Sequence, residues 1–339
     1  MTCLSCSTNH SYKVRSILTE QLQAQDFVGL APERIDKVRP MVLSGEIDAG
    51  MDLSGAVVIA DFLVMGADEG HQLQIFRHHP GSGSWRLQQR LALAKRDQET
   101  DIEAITFGDD CLYIVGSHSY RRRRMRPELS ARRNRERLQE IDSDPSRNCL
   151  YRLPFDPKSG KLGKVNRIDL SKRLSRDPLL KRFFGLPSKE NGIDIEGMAF
   201  RHKKLYLGFR GPVLRENYVP VMVFQFERPK DYRLRFIRID GQGIRDMVAL
   251  KKGFLILSGP VNDSPGPFCL WWWDGVDQIP GKDRIVQDTV LLGAVSTPGG
   301  AKAEGLALLG EADGRADVVV VYETNTAAQA VSMRVDLRT

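Results

Sequence analysis

Four times along the chain a strand-like alternation of charged, small and apolar positions runs through a turn into a second apolar stretch. Asp-Ile-Glu-Ala-Ile-Thr-Phe at 101–107 precedes Leu-Tyr-Ile-Val-Gly at 112–116, and Asp-Ile-Glu-Gly-Met-Ala-Phe at 194–200 precedes Leu-Tyr-Leu-Gly-Phe at 205–209. Arg-Asp-Met-Val-Ala-Leu at 245–250 leads to Phe-Leu-Ile-Leu-Ser at 254–258, and Lys-Ala-Glu-Gly-Leu-Ala-Leu at 302–308 leads to Val-Val-Val-Val-Tyr at 318–322. Period-two alternation bounded by turns predicts strands, and self-similarity at about 50 residues predicts a repeat architecture. Two strands per phrase point to an all-β fold, a β-propeller.

A degenerate fifth copy lies at 54–59 and 62–66, with Ser54 where the others carry charge. Each copy continues into a further strand, at 73–76, 148–153, 221–226, 268–273 and 330–335. Five blades are expected, with a sixth left open. The acidic positions Glu103, Glu196, Asp246 and Glu304 are separated by 93, 50 and 58 residues; removing the 29 residues of 119–147 brings the first interval to 64. That stretch is an Arg-rich insertion in one blade. The expected organisation is an N-terminal extension over 1–40 and one propeller over 41–339, with a strand over 40–44 pairing with the last blade to close the ring.

Composition sharpens this picture at two points. The net charge of +7 equals the nine arginines less two glutamates of 121–137, so the rest of the chain sums to zero. A helix over 127–141 is predicted there, with arginines on all sides, exposed to solvent or gripping nucleic acid or an acidic protein. Five cysteines, an odd number, are read as reduced thiols. No apolar stretch is long enough to span a membrane and no signal-type start is seen, so a cytoplasmic protein is expected.

The first strand of each propeller blade lines the central channel, so the acids of the repeated phrase converge there. A ring of like charges demands cations or protons. Glu103, Asp194, Glu196 and Glu304 suit a hard metal such as Ca²⁺. Arg210, Arg245, Asp246 and Lys302, with Asp68, Glu69 and Glu323 at comparable places after their second strands, are candidates to hold an anionic, phosphorylated small molecule. His118 is the candidate proton donor, with Glu103 and Glu196 as general bases. Acids beside tight turns also serve backbone amides alone, so a non-catalytic propeller that docks a partner through its arginines is the rival reading.

Other signals carry less. Cys3 and Cys6 lack a second ligand pair for zinc. The Gly275–Lys282 stretch has the wrong spacing for a phosphate loop, and the Trp271–Trp273 run alternates as core.

The phrases at 101–107 and 194–200, with Leu-Tyr-Leu-Gly-Phe-Arg-Gly-Pro at 205–212 and Ile-Leu-Ser-Gly-Pro at 256–260, resemble a bacterial family known only as domain of unknown function 3616. That family is similar to esterase-like-phytase propellers and more distantly to the gluconolactonase type. The resemblance covers about residues 45 to 337 and implies a propeller with a divalent-metal site at the channel mouth, where Glu103, Glu196 and Glu304 match the family phrase. The resemblance supplies no reaction; metal-dependent hydrolysis of a phosphoester or ester is what the converging acids, arginines and His118 suggest. Asp246 and Ser54 depart from the phrase, which implies an asymmetric pocket.

Overall fold

The computed structural model describes residues 34–45, 53–67, 70–95, 99–323 and 329–338. They form a five-bladed β-propeller of antiparallel four-stranded blades. From the axis outward, blade one is Leu53–Ile59, Phe62–Ala67, Gln72–His79 and Ser84–Ala92. Blade two is Ile102–Gly108, Cys111–Gly116, Leu150–Pro154 and Asn166–Ile168. Blade three is Asp194–Arg201, Lys204–Gly211, Tyr218–Gln225 and Arg228–Arg238. Blade four is Gly243–Ala249, Phe254–Gly259, Phe268–Trp273 and Val290–Val295. Blade five is Lys302–Ala312, Arg315–Glu323 and Gln329–Asp336, completed by Ile35–Pro40.

Closure therefore takes the expected form with a different segment. Ile35–Pro40 pairs antiparallel with Gln329–Asp336, whereas Leu43–Ser44 lies parallel to the outer strand of blade one. A boundary at 40 cuts one strand too late, because Ile35–Pro40 belongs to the ring. The Cys3/Cys6 pair, Asp68 and Glu69 lie outside the described residues.

Inner hairpins are tight because their loops adopt left-handed conformations that match strand twist. Asp109 and Asp110 have φ 48° and 54°, and His202 and Lys203 have φ 50° and 60°. Each sheet is covered by a blade on either side, so strands bury both faces: all six residues of Phe62–Ala67 are buried, and Trp271 and Trp273 are core. The core sits between blades, as where Leu53, Leu63 and Phe76 of blade one meet Ala307, Val319 and Val321 of blade five. No helix among the described residues is long and apolar enough to cross a membrane.

The insertion forms an arm on blade two. Tyr120–Arg122 pairs with Ile141–Ser143, and a helix over Ala131–Gln139, capped by Ser130, fills the tip.

Candidate functional site

One kind of register break is common to all five inner strands, beside further shifts at Asp194/Ile195 in Asp194–Arg201 and at Leu308/Gly310 in Lys302–Ala312. The shared breaks fall between Leu53 and Gly55, Ile102 and Ala104, Ile195 and Gly197, Ile244 and Asp246, and Ala303 and Gly305. An extra residue in one strand re-aims its side chain. The five re-aimed residues are Ser54, Glu103, Glu196, Arg245 and Glu304, and all five line one cavity of about 120 Å³ at the axis.

This corrects the alignment of blade four. Arg245, not Asp246, occupies the ring position, and Asp246 takes the place that is Gly55, Ala104, Gly197 or Gly305 elsewhere. Small residues fit there because the next inner strand packs against them: a Cβ on Gly197 would lie 2.7 Å from Ile244 and 3.4 Å from the Asp246 backbone. Asp246 points between blades instead of into the cavity. Its carboxylate accepts the backbone N–H of Met247 at 2.7 Å, of Leu306 at 2.7 Å and of Met198 at 3.4 Å, so it ties blades three, four and five together. Burial pushes its carboxyl well above the ordinary range against these three donors.

The ring charges are partly answered from within. Arg245 Nη1 lies 2.5 Å from Glu304 and 3.1 Å from Glu196. Arg210, at the end of the second strand of blade three, approaches Glu196 at 2.5 Å and Asp194 at 3.6 Å, while its Nε donates to the Val261 carbonyl. Burial opposes the charge on Glu196, but Arg210 and Arg245 outweigh it and hold this carboxyl below its usual value. Glu304 and Asp101 respond more to burial and rise to about 6, despite Arg245 beside one and Arg147 beside the other. Asp194 is driven well above its usual value by burial and by the Glu196 charge.

Glu103, Asp194 and Glu196 each offer an oxygen within 4.8 Å of the others. Two ligands of one Ca²⁺ lie no farther apart than about twice ~2.4 Å, so this trio fits a calcium-sized ion. Glu304 is outside the trio, its carboxylate turned to Arg245. Lys302 and Glu323 both line the cavity and pair with each other at 2.6 Å.

His118 is removed from the site. Its Nδ1 donates to the Gly116 carbonyl at 2.9 Å and its Nε2 accepts the Leu170 N–H at 3.2 Å. Burial lowers it to about 4, so the ring is neutral near pH 7, and with both nitrogens bound to the backbone it is unsuited to donate a proton at the axis.

Contributors not predicted as site residues include Asp101, Arg147 and Arg124. Asp101 lines the cavity, is 5% exposed, and accepts from Ser117. The tripeptide it shares with Asp194, Asp-Ile-Glu, was the available signal. Arg147, 1% exposed, approaches Asp101 at 3.5 Å and Glu99 at 2.5 Å. Arg124 of the arm reaches the rim near Lys189 and Asp263. Nothing local in the sequence marks Arg147, whereas Arg124 belongs to the arginine run that the sequence does display and the arm's folding brings it to the rim.

The family described as Protein of unknown function (DUF3616) matches residues 52–335. The chain belongs to this family. No curated protein matches the sequence. Among solved structures, a hypothetical protein from Leishmania major is 11% identical with a TM-score of 0.45, covering 90% of this chain and 91% of its own. A luciferin-regenerating enzyme is 10% identical with a TM-score of 0.43, covering 88% and 94%. A mutant Trypanosoma rangeli sialidase displaying trans-sialidase activity is 13% identical with a TM-score of 0.39, covering 90% and 59%. None of these likenesses bears on the ligand or activity of this DUF3616 propeller.

Proposed function

We propose that the channel mouth binds an anionic small molecule together with a divalent cation, the cation resting on Glu103, Asp194 and Glu196. The convergence of these three carboxylates on the floor of a solvent-reached cavity carries the reading. Arg210 and Arg245 are held by buried carboxylates, so the anion is met at the rim by Arg124, with Lys189 and Lys302 exchanging their solvent-reached partners Asp263 and Glu323 for it. In a hydrolytic use of the site, the proton donor is Glu304, whose carboxyl titrates at about 6 and lines the cavity.

Thermal melting with CaCl₂, MgCl₂, MnCl₂ or chelator tests the cation. An ion present at 100 times its Kd stabilises by about 2.7 kcal/mol, and this gain should vanish in Glu103→Gln. Melting temperatures indifferent to every divalent ion would sink the proposal. A panel of phosphoesters and lactones, run with and without the effective ion, then separates binding from hydrolysis.

A further inference from the structure

The arm on blade two divides into a neutralised base and an unanswered tip. At the base, Arg121 pairs with Glu99 at 3.1 Å, Arg122 grips Glu190, and Arg123 meets Glu140 at 2.5 Å and Asp142 at 2.8 Å. The chain's own carboxylates consume those three guanidiniums. Around the tip, Arg126, Arg132, Arg133 and Arg135 have one paired carboxylate between them among the described residues, Glu136, at 3.5 Å from Arg132 and 3.1 Å from Arg133.

The helix also has two distinct sides. Asn134 exchanges two 2.9 Å hydrogen bonds with the backbone of Arg126, and Arg137 donates to the Arg124 carbonyl at 2.8 Å. That side is seated against the irregular segment 123–126 that leads into the helix. Away from that side lie Arg132 and Arg133, whose side chains are 81% and 66% exposed, and exposed Arg135, together spread over about half the helix circumference. The all-round distribution expected from sequence is thereby resolved into an inward Arg137 and an outward arginine face.

We propose that this outer face binds the phosphodiester backbone of a nucleic acid. The segment 119–147 contains no lysine. Arginine's planar fork matches phosphate oxygens two at a time and also lies flat on bases, whereas an ammonium is a strongly hydrated point charge. Met125, 60% exposed between Arg124 and Arg126, adds an apolar surface against which a base can rest, a feature an acidic peptide does not require. The tip carries Arg126, Arg132, Arg133 and Arg135 against Glu128 and Glu136, so the binding energy is electrostatic and salt-dependent. Four arginines on four phosphates of a single strand set a log–log salt slope of about −3, and raising salt from ~50 to ~200 mM weakens binding about 50-fold.

Fluorescence anisotropy of the full chain with a labelled single-stranded RNA, the same sequence as DNA, and their duplexes tests this. Binding with that slope is expected, and whichever of RNA or DNA is held more tightly names the source of the phosphodiester. In Arg126→Gln/Arg132→Gln/Arg133→Gln/Arg135→Gln the slope should fall close to zero with melting temperature unchanged. Should that variant melt lower, Arg132→Gln and Arg135→Gln singly carry the test, each reducing the slope by about 0.7. No binding at ~50 mM salt, a slope unmoved by these substitutions, or equal displacement by poly-glutamate at matched charge overturns the proposal; the last outcome would point to an acidic protein.

Discussion

Arg245→Met removes the one cation built into the ring while keeping an unbranched side chain of similar reach. Arg245 is 4% exposed and its Nη1 serves Glu196 and Glu304 together, so the substitution leaves two buried carboxylates short of a partner. Breaking a buried pair from one side costs about 3–5 kcal/mol, because the remaining charge stays desolvated. That cost is limited by protonation. A carboxyl that ionises near ~4.3 when unfolded escapes its native penalty by taking a proton, at about 1.4 kcal/mol per pH unit above that value. At pH 8 this escape is as expensive as the penalty itself and the full loss is expected, roughly 4–7 °C in melting temperature for a chain of this size. At pH 5 the limit is about 1 kcal/mol per carboxyl, so the loss should shrink to about 2 kcal/mol or less. The direction is that of acids raised in the folded state, whose contribution fades as pH rises. Calorimetry of both proteins in matched buffers at the two pH values reads the difference. An equal loss at both, or a loss below ~1 kcal/mol at pH 8, would refute the claim that Arg245 neutralises the ring.

Asp246→Ala should cost about 3 kcal/mol, since the N–H groups of Met198, Met247 and Leu306 lose their acceptor in the core; Asp246→Asn, which keeps an acceptor oxygen, should cost less, and urea titration ranks the two. His118 titrates near 6.5 unfolded and at about 4 folded, so it draws stability out of the protein as pH falls through that window, by about 3 kcal/mol at its end. His118→Asn should therefore flatten the acid limb of the stability curve, measured as melting temperature from pH 7 to 4, and an unchanged limb would place the histidine in water.

The blades were legible because their signal is local and repeated. An apolar run flanked by turn residues needs no knowledge of the rest of the chain, and five copies reinforce one another despite Ser54 and Arg245. The register of the axial position was harder to see. Aligning by chemical type places Asp246 with the glutamates, whereas aligning by backbone places Arg245 there, and the two differ by one residue. In a strand one residue turns a side chain to the opposite face, so this small shift converts a supposed ligand into a clamp between blades. His118 misled for a related reason: its place after a strand is shared with Arg210, but its ring turns to the Gly116 carbonyl and the Leu170 amide.

Fold class, blade number and the presence of a basic insertion were thus written in the order of residues, because each depends on periodicity and composition along a short stretch. The partners of each charge were not. Arg147 reaches Asp101 across 46 positions, and Arg245 reaches Glu304 across 59. Whether a carboxylate meets a guanidinium, an amide or open solvent depends on which strands the closed ring brings to its axis, and burial then sets whether that group carries a proton.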